Sequence, residues 1–398
     1  MNFSGEIPPA IILGMDITGL AIARSLGKHH IPIIGVDSNE FKIGSLSKYC
    51  DRAICPDPGK SESGFIDSLL KLGKTLPARG VLFPTNDEFV LSISKNRSVL
   101  DKYYVFSWPK GDIIETINDK LKFFLLAVEH GIVVPSTYHA DNLDSLIHIS
   151  KQIQYPCIIK PRFGYLFKKL KVKAVKCNKE QELIKHFQRI WSITGDIIIQ
   201  ELVTGNEDQQ FSLCSYLNED SEPLAVFTSR KIRQRPIGFG LGTLVESCYV
   251  PEILESGINF LRELKYCGIS EMEIKKDARD GNFKVIEVNT RPWNQIGLAI
   301  RCGINFPLIA YRNLLGSNLG KVNSFFKPNV KWVWFGSDFY TSFGKFGYVP
   351  SGELTFKQWL RSLKGEKEYA IFAWDDPKPF LASFLRGFMS LCKKLTRI

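Results

Sequence analysis

Two apolar runs near the start of the chain, AIILGM (10–15) and IPIIGVD (31–37), enclose GLAIARSLGKHH (19–30), where Leu20, Ile22, Ala23 and Leu26 recur at helical spacing. A third run, GVLFPTND (80–87), follows a segment of helical character at 65–73. Short strands that are apolar throughout and alternate with helices are buried on both faces. This demands a parallel sheet with helical crossovers. Such crossovers are right-handed almost without exception, so few topologies remain. The alternation holds over residues 1–111 and then stops.

Beyond it, helices are expected within 112–137, with Asn118 or Asp119 as a cap and Gly131 as a stop. Strands then come in runs: PCIIKP (156–161), KVKAVKC (171–177), DIIIQELV (196–203), QFSLCSYL (210–217) and PLAVFTSRKI (223–232). A helix fits 252–265. ISEMEIKKD (269–277) and NFKVIEVNTR (282–291) flank ARDGN (278–282), which has the composition of a hairpin turn. The expected fold class is therefore α/β followed by α+β, and 398 residues suit two or three domains.

The first strand–turn–helix, LGMDITGLAIARSLG, places backbone N–H groups at a helix start, a generic anion site. Asp37 ends the next strand, where a dinucleotide enzyme would hold ribose. The glycines are spaced G-x-x-x-x-G, however, with Asp16 between them. A nucleotide-dependent oxidoreductase is thus the weaker alternative, and a tight structural turn serves equally well.

The net charge of +11 attracts anions without choosing among them. No basic block with interleaved aromatics speaks for nucleic acid as a partner. Nine Cys without a CxxC pair read as free thiols in a reducing cytoplasm, and the His residues lack metal-ligand spacing. MNFSGEIPPAIILGMD has neither the basic start nor the cleavage site of a leader, and no apolar run is long enough to span a bilayer. The expected location is cytoplasmic.

Several polar residues sit where apolar ones would be cheaper. In IEVNTR (286–291), Glu287, Asn289 and Arg291 are two apart and share one strand face. Glu273, on the preceding strand, lies within reach across the hairpin. Two carboxylates and an amide oxygen make a hard oxygen site of the kind Mg²⁺ takes together with substrate phosphates. Lys160 ends the strand CIIK and can reach a phosphate as a point charge or snorkel to solvent. Lys120 alone reads as surface. Glu201, after a long apolar run, can accept from an adenine amino group or pair with a Lys. Glu207 and Asp208 can reach a ribose or form a polar turn. SRKIRQRPIGFGLGT (229–243) sets Arg230, Lys231, Arg233 and Arg235 before a Gly-rich loop, suited to an anionic substrate or to a solvated edge strand.

Taken together, NDK (118–120), IIKP (158–161), IIQEL (198–202), EMEI (271–274) and EVNTR (287–291) resemble the ATP-grasp superfamily, and within it the carboxylate–amine ligases of the D-aspartate ligase type. The resemblance covers about residues 8–320, and KWV (331–333) through DDPKP (375–379) is similar to the tail of that subgroup. It implies a Rossmann-like N-terminal domain over 1–111, an ATP-grasp domain over 112–320 with a lid at about 150–203, and an aromatic-rich extension over 321–398. It also implies that Lys120 and Lys160 contact ATP phosphates and that Glu201 with the backbone of Leu202 and Val203 holds adenine; Glu207 and Asp208, from their own position, are counted with the nucleotide side. Glu273, Glu287 and Asn289 would bind Mg²⁺ or Mn²⁺, with Arg291, Lys231 and Arg233 at the reacting groups. The implied reaction joins a small-molecule carboxylate to an amine through an acyl phosphate, with ADP and phosphate as products. Should the C-terminal tail contact a membrane, a cell-envelope or polysaccharide precursor becomes a reasonable substrate, and a homodimer is the assembly to test. The segment RFGYLFKKLKVK (162–173) departs from the usual Gly- and Ser-rich phosphate loop, carrying one Gly and four Lys. That departure keeps a non-catalytic nucleotide-binding protein as the main alternative.

The tail PFLASFLRGFMSLCKKLTRI (379–398) has an apolar stripe at helical spacing, with Arg386, Lys393, Lys394 and Arg397 mainly off it. The commoner role of such a helix, and the one expected here, is to cover the protein's own core. The alternative is peripheral contact with an anionic membrane at the inner face.

Overall fold

The computed structural model describes residues 7–109, 111–164, 174–317, 319 and 325–395. Three sheets organise it. The first comprises β1 (Ala10–Leu13), β2 (Ile33–Asp37), β3 (Asp51–Ile54), β4 (Gly80–Pro84) and β5 (Tyr104–Val105), all parallel in the order β3-β2-β1-β4-β5. The apolar runs and the helix between them thus pack as their pattern requires.

At the first turn, Gly14 has φ +91°, and a Cβ there would meet Thr85 Oγ1 at 2.4 Å, so only glycine fits. The buried Asp37 carboxylate accepts from Met15 N at 2.8 Å and Asn39 N at 3.1 Å. Asp37 braces this turn instead of offering itself to a ribose. The start of the following helix, Ile17–Gly27, faces the rest of the protein: Thr18 Oγ1 donates to Asn294 Oδ1 at 2.9 Å. The oxidoreductase alternative loses its two supports here.

The second sheet, β6 (Thr137–His139), β7 (Cys157–Pro161), β8 (Val175–Cys177) and β9 (Ile197–Glu201), is antiparallel in the order β6-β9-β7-β8. Helices Leu143–Ser150 and Glu180–Thr194 cover it, and Leu146, Ile159, Leu183, Phe187 and Ile199 form its own core. The range expected for a lid, about 150–203, falls within this unit, which begins one strand earlier at Thr137. The Lys-rich segment lies largely outside the described residues, which omit 165–173. The lid is tied to the helix Lys120–Glu129 by Arg162, which donates to both oxygens of the Asp119 cap at 2.7 and 2.6 Å. Burial works against ionisation of Asp119, yet the Arg162 pairing holds its carboxyl below the usual range.

The third sheet has seven strands in the order β14-β13-β10-β11-β12-β15-β16. They are β10 (Gln210–Leu217), β11 (Pro223–Arg235), β12 (Leu241–Ser247), β13 (Gly268–Lys276), β14 (Phe283–Asn289), β15 (Lys331–Val333) and β16 (Lys367–Tyr369). The last two come from the segment after 320, so the C-terminal extension completes the central sheet instead of standing beside it.

A buried ion pair locks that extension in place. Arg233 donates through Nε and Nη2 to Asp338, both at 2.8 Å, and Asp338 also accepts from Thr243 Oγ1 at 3.0 Å and Trp359 Nε1 at 2.8 Å. The β11–β12 register shifts between Lys231 and Arg233, and such a bulge re-aims a side chain. Arg233, expected beside the reacting groups, is therefore a structural anchor. Within the basic stretch, Ser229 and Arg230 pair with both β10 and β12, whereas Lys231 to Arg235 pair with β12 alone.

The final helix, Lys378–Leu395, departs from the role expected of it. Phe380, Leu381, Phe384 and Leu385 are exposed, while Ala382 and Ser383 are half-buried. At least over this part, the apolar stripe does not cover the core.

Asp338 is wholly buried, so Asp338→Ala leaves the Arg233 guanidinium without its counter-charge. The expected loss is about 3–5 kcal/mol of stability, read as a lower urea midpoint. Arg233→Met combined with Asp338→Leu is expected to recover much of it.

Candidate active site

The hairpin β13–β14 sets the centre of the site. Its register puts Glu273 opposite Glu287 and Glu271 opposite Asn289. Glu273, Glu287, Asn289 and Arg291 all line one cleft between the lid and the central sheet, and Lys120, Lys160, Leu202 and Val203 line it too. The cleft encloses about 1150 Å³ with its solvent mouth included, room for a nucleotide and a small acid. Residues scattered from 120 to 291 are thereby gathered on facing walls.

On the central-sheet wall, Glu273 and Arg291 are held by named partners. Glu273 Oε2 accepts from Lys231 Nζ at 2.8 Å and Gln210 Nε2 at 2.7 Å. Lys231 is buried, which opposes its charge, but Glu273 and the other carboxylates keep it charged and raise its pKa. It supports Glu273 from beside the cleft and is not part of the wall. Arg291 donates through Nε to Asp87 Oδ1 at 2.5 Å and through Nη2 to Asn289 Oδ1 at 3.0 Å. Asp87 follows the end of β4, so the N-terminal domain contributes a carboxylate to the cleft.

Glu271 is a third carboxylate behind the pair. It accepts from Ser212 Oγ at 2.9 Å and Asn289 Nδ2 at 3.2 Å. Burial and the neighbouring Glu273 push its pKa up to about 7. Its bond to Nδ2 orients the Asn289 amide so that the oxygen faces Arg291 and the cleft.

On the lid side, the buried Lys160 Nζ donates to Gln200 Oε1 at 2.9 Å, and Gln200 Nε2 donates to Thr137 Oγ1 at 2.7 Å. Burial, aided by the nearby Lys120, lowers the Lys160 pKa to about 7. The Glu201 carboxylate is committed: it accepts from Lys284 Nζ at 3.1 Å, Ser136 N at 3.1 Å and Arg279. Of the two roles open to Glu201, the paired strand-end carboxylate is the one found. What remains for a purine edge is backbone. Leu202 N is spent on Pro156 O at 3.3 Å, whereas the buried Val203 N–H meets no hydrogen-bond acceptor among the described residues.

Glu207 and Asp208 stand outside the cleft wall. Glu207 accepts from Gly238 N at 2.8 Å, Gln234 Nε2 at 3.1 Å and the Tyr348 hydroxyl. It braces the loop 236–240, whose Gly238, Phe239 and Gly240 form one lip of the cleft. The expected nucleotide-side role of Glu207 is thus replaced by support of that lip.

The donor set fits a hard divalent cation of the Mg²⁺ kind, with Glu273 and Glu287 as carboxylates and Asn289 as an amide oxygen. No group of three or more His, Cys, Asp or Glu suited to a metal occurs among the described residues, so substrate phosphates and water would have to complete the coordination. Sequence reasoning missed Asp87, Gln200, Gln210 and Glu271. Gln200 carried a readable signal, as a polar residue inside the apolar run IIIQE.

No protein-family model matches the chain. It is similar to the D-aspartate ligase of Enterococcus faecium, at 22% identity over 71% of this chain and 70% of that protein. It is also similar to the carbamoyl phosphate synthase large chain of Thermoanaerobacter pseudethanolicus, at 24% identity over 85% of this chain but only 33% of that protein. Among solved structures, it superposes on the biotin carboxylase domain of the Hydrogenobacter thermophilus 2-oxoglutarate carboxylase, in complex with MgADP and bicarbonate, with TM-score 0.64 at 15% identity over 82% of this chain and 74% of that one. It superposes on the Bacillus licheniformis L-amino acid ligase with TM-score 0.60 at 15% identity over 79% and 75%. The chain has the ATP-grasp fold, with the three-part architecture expected of it. Its similarity is to ATP-dependent ligases of the carboxylate–amine type.

Were Lys160 to hold an ATP phosphate, as the sequence leads one to expect, it would do so in its charged form, and a pKa near 7 depletes that form as pH rises. ATP affinity is expected to weaken above pH 7, by at most about tenfold per unit. Lys160→Met should bind less tightly at neutral pH and show a flatter profile. Calorimetric titration across the range checks both.

Proposed function

We propose that the protein is an ATP-dependent carboxylate–amine ligase acting through an acyl phosphate. The observation that carries this reading is the β13–β14 register, which brings two carboxylates and an amide together in one cleft with Arg291, Lys120 and Lys160.

The reaction follows from what the walls can bind. Lys120 and Lys160 hold the phosphates as point charges, and the backbone at Val203 meets the adenine edge. Glu273, Glu287 and Asn289 would hold Mg²⁺ or Mn²⁺, which when bound neutralises phosphate charge during transfer. Arg291 orients the carboxylate substrate, in competition with Asp87. A substrate oxygen then attacks the γ-phosphorus, the bond to ADP breaks, and an acyl phosphate results. The amine nitrogen attacks the acyl carbon, phosphate leaves, and the nitrogen gives up a proton. Positioning and charge neutralisation supply most of the acceleration, so no nucleophilic Ser or Cys is required.

The finer reading, a cell-envelope or polysaccharide precursor as one substrate, draws support from the exposed apolar C-terminal helix. A homodimer belongs to the same proposal, since the biotin carboxylase domain it resembles was solved as a dimer.

Purified protein should release ADP and phosphate from ATP when presented with the right pair among amino acids of both hands and uronic-acid acceptors. Release of AMP and pyrophosphate would overturn the acyl-phosphate route. Glu287→Gln is expected to lower turnover by about 10²-fold or more. Unchanged ATP binding in that variant, together with no turnover by the wild type on any pair, would favour the non-catalytic alternative.

A further inference from the structure

The final helix turns large apolar side chains to solvent. Leu381, Phe384 and Leu385 are 54%, 65% and 58% exposed, on successive turns of one face. Trp374, just before the helix, is 88% exposed. Trp374, Phe372, Phe380 and Phe384 form one continuous aromatic surface: Phe372 contacts Trp374 at 4.8 Å and Phe380 at 5.2 Å between ring centres, and Phe380 contacts Phe384 at 6.4 Å. A patch of this kind marks an interaction site.

Its base is rigid. The buried Asp376 accepts from Arg24 Nε at 3.0 Å, Ser47 Oγ at 2.7 Å and Lys48 N at 3.0 Å, and Asp375 accepts from Tyr49 Oη at 2.7 Å. Arg386 reaches back to the Phe41 carbonyl oxygen, and Phe41 is itself exposed. The apolar face is therefore held outward from the N-terminal domain.

Charge selects the occupant. Residues 377–398 contain Lys378, Arg386, Lys393, Lys394 and Arg397 and no Asp or Glu. The two acids just before them are already paired with Arg24 and Lys28. A basic helix with aromatic and leucine residues on its open face matches a surface that is both apolar and anionic. No helix among the described residues is long and apolar enough to cross a membrane, so contact would be in the plane of the interface.

We propose that Trp374 and the helix beginning at Lys378 form a docking surface for an anionic lipid bilayer. The apolar face enters the headgroup boundary, and the positive charge of the tail attracts the anionic surface. This goes beyond the ligase reading and stands or falls without it.

The test uses the full-length chain and vesicles of phosphatidylcholine with or without phosphatidylglycerol. The wild type is expected to sediment with the anionic vesicles, to release at high salt, and to show a blue shift in Trp emission that Trp374→Phe removes. Combined Trp374→Ser, Phe384→Ser and Leu385→Ser should weaken sedimentation more than about tenfold while leaving circular dichroism and ATP binding unchanged. A wild type that stays in the supernatant with anionic vesicles overturns the proposal, as does a triple variant that binds them equally well. A wild-type dimer in light scattering that the triple variant abolishes, without vesicle binding, would assign the surface to a second copy instead.

Discussion

Carboxylates on neighbouring strands repel, and the site depends on how that repulsion is offset. Glu271, Glu273 and Glu287 lie on β13 and β14, with Glu273 directly across from Glu287. In a setting of low dielectric, such a group persists only with counter-charges close at hand. Lys231 meets Glu273 directly, while Arg291 and Lys160 lie within electrostatic reach of the group. Glu271, the most buried of the three, has its acid form favoured by burial and by Glu273 in spite of Lys231 and Arg291, and serves as an acceptor for the Asn289 amide. The balance leaves the cleft side of the hairpin able to take a cation and its phosphates.

The same economy explains the two flanking parts. The lid carries its own hydrophobic core, so it can be a distinct unit, and polar links such as Arg162 with Asp119 connect it to the body. The segment after 320 is committed in the opposite way. It adds β15 and β16 to the central sheet, buries Asp338 against Arg233, and sends Tyr348 to Glu207 behind the loop 236–240. A part of the chain that touches no proposed substrate group therefore shapes a lip of the cleft.

Much of this was legible from residue order. The alternation of AIILGM, a helix and IPIIGVD led to the parallel sheet, and QFSLCSYL became β10 over its full length. IEVNTR announced the site because three polar heads on one strand face need partners. Arg233 and Glu207 were misread for a common reason. A charged residue looks the same in sequence whether it meets a ligand or another segment, and here the other segment was the distant C-terminal extension. Asp87 and Glu271 went unseen because one sits in an ordinary helix start and the other in a strand whose second Glu drew the attention.

Periodicity and spacing follow from local geometry, so element types, the hairpin and the proposed metal-side residues could be read along the chain. Which charges cancel which could not. The commitment of Glu201 to Arg279 and Lys284, the capture of Arg233 by Asp338, and the outward face of the last helix all depend on side chains far apart in sequence. Electrostatic pairing and burial are set by distances through space, and only the packed fold defines those.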